Sequence, residues 1–212
     1  MGQKENLHPT ALEADKLIDE AVALMNDAKL VSASSALNSA LELLIPLLNA
    51  YPENRTYKKL TADAYYFAAS ISYSMNKPNS LERIGETIEY YEHLDNGLQQ
   101  EPFLRKNLMK LFAWSGSLLS KTSQISEADK HTSKARTLGQ SLESDGITDS
   151  EIRRTIFGAC INLASSQTSE VSWREVVDRY EDLRRRGEAT KEDTKSYQLA
   201  LHRIALMDKE KP

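Results

Sequence analysis

Glu82, Glu86, Glu89 and Glu92, followed by His93, recur at steps of three and four. On a helix that spacing puts the side chains on one face. Carboxylates so placed can share a metal ion, and di-iron helices carry a Glu-x-x-His step. Here the residue three after Glu89 is Glu92, the histidine comes at four, and no second segment offers a matching set. The row therefore reads as a solvated acidic face. His8, His93, His131 and His202 stand apart without zinc-ligand spacing. Cys160 lies in the apolar stretch Phe157-Gly158-Ala159-Cys160-Ile161 and reads as a buried small hydrophobe. A nucleophilic thiol would need a base beside it and a lowered pKa. The sequence holds no glycine-rich phosphate loop, no G-x-S-x-G and no paired-aspartate metal motif. The expectation is a protein that is not an enzyme, with no catalytic residues, metal or cofactor.

The elements that would position any site are all helical. Apolar residues recur at three and four rather than alternating, and the 8 Gly and 6 Pro sit mostly between segments. Leu12, Leu17, Ala21, Leu24 and Ala28 mark a first stripe, opened by Pro9-Thr10. Ser32 to Ala50 forms a second, closed by Tyr51-Pro52-Glu53-Asn54. Tyr57 to Met75 forms a third with two apolar rows. Ser80 is the expected N-cap of a fourth, closed by Asn96-Gly97. Pro102 opens a fifth, Ser126 a sixth, and Thr148 with Glu151 makes a capping-box spacing for a seventh. Ser172 with Glu175 repeats that spacing for an eighth, ended by Gly187, and Thr190 opens a ninth. Short polar turns between nine helices imply antiparallel neighbours in one domain over residues 1–212.

The helices fall into similar pairs, which is the mark of a solenoid. Tyr90-Tyr91-Glu92-His93-Leu94 and Arg179-Tyr180-Glu181-Asp182-Leu183 sit at matching places, separated by two repeats of about 44 residues. The stretch Ala14 to Leu47 resembles a tetratricopeptide repeat. Leu17, Ala21 and Leu24 stand at its bulky, small and bulky positions on the first helix. Ala33, Leu37, Ala40 and Leu41 alternate small and large on the second. Phe112, Gly116 and Leu119, Ile125 in the turn, and Ala128 with Ala135 resemble the unit again. Small residues let helix backbones approach while bulky ones fill the space beside them. Departures accompany the match. The second pair has a turn lengthened by about five residues around 76–83 and Thr87 in place of the small residue, and Val176 stands there in the fourth. The resemblance implies an all-α, right-handed α-α superhelix of about four hairpins, at 10–52, 55–97, 102–146 and 148–187. A capping helix at 190–208 with a charged outer face completes it.

In such a solenoid the first helix of each pair lines a concave face where partners bind. Tyr65, Tyr66 and Tyr73 would give that groove aromatic walls. Lys106, Lys110 and Trp114, with Arg153 and Arg154, would give it a cationic side. Tyrosine pairs a large apolar face with a polar tip and is enriched at binding surfaces. The groove would suit another protein or peptide, acidic or ending in a free carboxylate; the plainer alternative is that the tyrosines fill the core between helices. A second reading is a bacterial immunity or secretion-chaperone protein that occludes a basic partner.

Composition bounds the rest. The 212 residues carry net charge −4 and one cysteine, which excludes a disulfide scaffold. Residues 1–100 hold 8 Lys+Arg against 14 Asp+Glu, and residues 101–212 hold 19 against 17. Arg184-Arg185-Arg186 is neutralised by Glu181, Asp182 and Glu188, so no nucleic-acid footprint is expected. The longest apolar run, Leu43 to Leu48 around Pro46, is far short of a bilayer span, and Met1 to Thr10 lacks an apolar signal core. The Gly2 context lacks the Ser or Thr of a myristoylation site, with Asn6 in its place. The expectation is a cytoplasmic protein with no membrane or nucleic-acid partner and with room for homo-oligomers.

Overall fold

A computed structural model describes residues 8–166 and 173–209, all of them in helices or short connections. Met1 to Leu7 and the expected Ser172 cap lie outside the described residues. Among the described residues ten helices follow one another: α1 Pro9–Asn26, α2 Leu30–Ala50, α3 Arg55–Ser74, α4 Ser80–Glu92, α5 Asn96–Gln99, α6 Pro102–Lys121, α7 Ile125–Ser144, α8 Ser150–Ser165, α9 Trp173–Arg185 and α10 Lys191–Lys209. They pack as sequential antiparallel pairs in two compact units, residues 1–104 and 105–212, divided inside α6.

The ends follow local chemistry. The Asn54 side chain accepts from the Tyr57 amide, 3.0 Å away, and starts α3. Thr190 and Asp193 bond reciprocally, each side chain accepting from the other's amide, and open α10. Where nine helices were expected, the tenth is α5. Asn96-Gly97 does not close the fourth helix but forms this separate turn, because the Asp95 carboxylate accepts from the Leu98 amide and nucleates it. The cap of α8 also moves by one. Asp149, not Thr148, accepts from the Glu151 and Ile152 amides at 2.9 Å each. Thr148 instead accepts from an Arg153 guanidinium nitrogen at 2.7 Å. Ser80 is the first residue of α4 rather than its cap, and its hydroxyl donates to the carbonyls of Ser72 and Lys77.

One turn recurs. Ala28, Asn76 and Ser123 each adopt a left-handed backbone, with φ of 59°, 49° and 62°, directly after the first helix of a pair. The next amide reaches back five residues each time, Lys29 to Leu24, Lys77 to Ser72 and Gln124 to Leu119, at 2.8, 3.1 and 3.0 Å. Such bonds satisfy carbonyls that the helix end leaves open. Ala28 is thus a turn residue and not the end of the first stripe. The turn 75–79 is two residues longer than 27–29 or 122–124, a smaller insertion than the sequence suggested.

In the first unit, Ala14, Ile18 and Ala21 of α1, Ala33, Leu37, Ala40 and Leu44 of α2, and Ala64, Ala68 and Ile71 of α3 share one core. These include the small residues of the proposed repeat, and their size lets three helices meet closely. Helix α2 is long and apolar enough to cross a bilayer by length and composition. In this unit it buries one face against α1 and α3, and its other face carries Ser32, Ser35, Asn38, Ser39 and Glu42.

In the second unit, Ile152, Ile156, Phe157, Cys160 and Leu163 of α8 are buried, as are Val176, Tyr180 and Leu183 of α9. A β-carbon at Gly116 would collide with the Thr132 hydroxyl and come within 3.2 Å of the Ala128 carbonyl, so α6 and α7 touch there through hydrogen alone. Helix α10 docks by stacking Tyr197 on Tyr180, ring centroids 4.2 Å apart, and by burying Ala200. Its outer face is not purely charged: Leu199, Leu201, Leu206 and Met207 are exposed on it.

Candidate functional site

The tyrosines divide between core and surface. Tyr66 is buried on α3 with its ring edge against Phe67, and Tyr57 and Tyr91 are buried too. The Tyr91 hydroxyl donates to the Ala62 carbonyl at 3.2 Å. Tyr65 and Tyr73 are half-buried. Tyr65 meets Tyr90 across the α3–α4 pair, with ring centroids 5.2 Å apart and planes tilted by 47°.

This ring pair lines an open pocket of about 520 Å3 whose other walls are Glu86, Glu89 and His93. The Tyr90 hydroxyl donates to the Lys58 carbonyl, which fixes the ring. Burial pushes the Tyr90 hydroxyl up to about 12. Burial also raises Tyr65, with the Glu86 carboxylate adding to it and Arg83 opposing. His93 turns its Nδ1 to the Glu89 carbonyl at 2.7 Å. The acidic row seen in the sequence faces solvent as expected, with Glu82, Glu86, Glu89 and Glu92 all exposed, and Glu86 and Glu89 also border the Tyr65–Tyr90 pocket. Sequence reasoning did not pair Tyr65 with Tyr90, because they are far apart in the chain and only the α3–α4 crossing joins them.

The expected cationic residues of the second unit are engaged by the chain itself. Lys106 on α6 lies 2.6 Å from Asp149 and 2.8 Å from Glu151. Burial alone would loosen its proton, but the two carboxylates outweigh that and hold the ammonium above its ordinary value. Lys110 pairs with Glu151 at 2.6 Å and lies 5.4 Å from the Trp114 ring centroid. Arg153 is buried and grips Glu188 with two guanidinium nitrogens, while Arg154 donates to the Glu188 carbonyl at 2.6 Å. Lys106, Lys110 and Trp114 thus share one stretch of α6, and Arg153 and Arg154 meet the segment after α9.

A second cavity, about 430 Å3, lies in this unit between α6, α7 and α8, lined by Gly116, Asp129, Thr132, Asn162 and Ser166 among others. The Ser166 hydroxyl donates to Asp129. Cys160 lies 3.5 Å from Glu175, and burial with that carboxylate pushes the thiol up to about 11, so little thiolate forms near neutrality. On α3, Asp63 is mostly buried and its Oδ1 has no hydrogen-bond partner. Burial pushes its carboxyl up to about 6; Lys59 opposes, and Glu101 and Asp15 add. Among the described residues no group of three or more His, Cys, Asp or Glu is placed to hold a metal ion.

No protein-family model and no curated protein matches the chain.

Proposed function

We propose that the chain is a non-enzymatic scaffold that binds another protein or peptide, built as a degenerate tetratricopeptide-like array. Its hairpins would continue into a right-handed superhelix capped by α10. The observation that carries this reading is the recurrent left-handed turn and its back-bond, at Ala28, Asn76 and Ser123 inside three successive hairpins and again at Gly146 and Gly187 after the second helices of two pairs. The small residues Ala21, Ala33, Gly116 and Ala128 at the helix crossings support it. Helix hairpins of this kind bury their faces by stacking on neighbours and leave one surface open to partners. The reading includes a cytoplasmic location, no membrane or nucleic-acid partner, and room for self-association.

The ion pairs of Lys106, Lys110 and Arg153 bear on the choice of partner. An acidic or C-terminal peptide at these cations would have to displace carboxylates already in place. That favours the occlusion of a basic partner, as an immunity or secretion-chaperone protein would do, and the acidic balance of residues 1–100 agrees with it. Affinity capture with mass spectrometry names candidates, which are then purified and titrated. With a basic partner, Lys110→Glu with Arg154→Glu leaves saturable binding undiminished, whereas weakening of at least about tenfold assigns the cationic helices to the interface and an acidic partner to them. Unchanged binding removes them from it, and no saturable binding to any purified candidate overturns the scaffold reading. Rescue of a toxin-expressing cell by co-expression separates the occluding binder from an adaptor.

A further inference from the structure

The pocket in the first unit combines features that neither aromatic rings nor carboxylates supply alone. Tyr65 and Tyr90 meet at a tilt of 47° and not as a parallel stack, and both rings line the pocket. Tyr90 is anchored through its hydroxyl and Tyr65 is half-buried, so ordering these rings on binding costs little entropy. Glu86 and Glu89 are exposed at the rim, and neither forms an ion pair among the described residues. Arg83 also lies near Tyr65 and His93 lines the pocket, yet with the imidazole neutral one cation against two carboxylates leaves the rim negative. The face of an aromatic ring attracts cations, and paired carboxylates accept a guanidinium fork.

We propose that the pocket between α3 and α4, floored by Tyr65 and Tyr90 and rimmed by Glu86 and Glu89, receives an arginine side chain of a partner protein. Arginine fits better than lysine. Its planar group can lie on a tilted ring while its edge donates to two carboxylates, and it is the more weakly hydrated cation. The pocket, about 520 Å3 and open to solvent, leaves the rings and both carboxylates accessible to such a side chain. The excess of acidic residues over residues 1–100 would draw a basic partner to this unit. The inference rests on the protein-binding reading and adds the chemistry of the partner.

The test uses the full chain with ring-labelled tyrosine and two small probes, N-acetyl-arginine amide and its uncharged analogue N-acetyl-citrulline amide. Saturable shifts confined to the Tyr65 and Tyr90 ring signals are expected with the arginine probe and not with citrulline. Glu86→Gln with Glu89→Gln should weaken that binding at least about fivefold, and both positions are exposed, so the fold is retained. Absence of saturable shifts, equal shifts from both probes, or undiminished binding to the double variant would each overturn the proposal. The same double variant separates the two readings. A purified partner that binds it as tightly as the natural chain leaves the scaffold intact and removes the arginine pocket. Probe binding with no protein partner found removes the scaffold and with it the partner's arginine, and leaves only a guanidinium-binding pocket.

Discussion

Gly139 on α7 faces Ile156 on α8 so closely that an added β-carbon would lie 2.5 Å from Ile156 Cγ1 and 3.1 Å from Met109 Sδ. Ile156 is fully buried and cannot withdraw. Gly139→Ala should therefore destabilise the second unit by about 1 kcal/mol, the overpacking cost of ~1–3 kcal/mol exceeding the ~1 kcal/mol that alanine contributes inside a helix. Gly85, in α4, has nothing within 4 Å of the same added atom. Gly85→Ala should stabilise by ~0.5–1 kcal/mol. Urea denaturation of both variants checks the pair, and equal signs would contradict the packing described.

The turn after α1 holds an alanine where the backbone is left-handed, at φ 59°. A β-carbon there costs roughly 1–2 kcal/mol relative to glycine. Ala28→Gly keeps the Lys29 to Leu24 bond and should raise stability by about 1 kcal/mol after the added freedom of the unfolded chain is counted. A midpoint that falls on thermal denaturation would show that the turn is not of this form.

Asp63 sets a pH dependence whose direction follows from its proton. The buried carboxyl keeps it to about pH 6, against an ordinary value of 3.8. Between those values the folded chain binds a proton that the unfolded chain has released. Stability from this group is thus complete below about pH 4 and falls as pH rises through 6. A shift of this size is worth ~2–3 kcal/mol, with some loss to remaining solvent contact. Asp63→Asn should stabilise the protein at pH 8 and make no such difference at pH 3.5, measured by denaturant unfolding at both values. A gain of equal size at both would assign the effect to packing.

Much of the fold was legible because its signals are local. Pro9 and Pro102 at helix starts, Tyr51-Pro52 after α2 and the Thr190–Asp193 cap act within a few residues of themselves. The burial of Ala21, Ala33, Leu37 and Ala40 follows from helical spacing alone. The misses were local competitions that spacing does not rank. Asp149 displaced Thr148 as a cap, and Asp95 nucleated an extra turn. Cys160, read as a buried small hydrophobe, is fully buried in α8.

The candidate surfaces were legible only as a list of residue types. The sequence by itself determined an all-helical chain, the order of its hairpins, the small residues at their crossings and the acidic balance of the first hundred residues. Whether Tyr66 is core and Tyr65 surface, that Tyr65 meets Tyr90, and that Lys106, Lys110 and Arg153 answer Asp149, Glu151 and Glu188 were decided by tertiary structure. The reason is distance along the chain. Helix periodicity and caps are set within a turn or two, whereas a side chain's partner across a helix pair depends on the crossing angle and register of two segments, which no local spacing encodes.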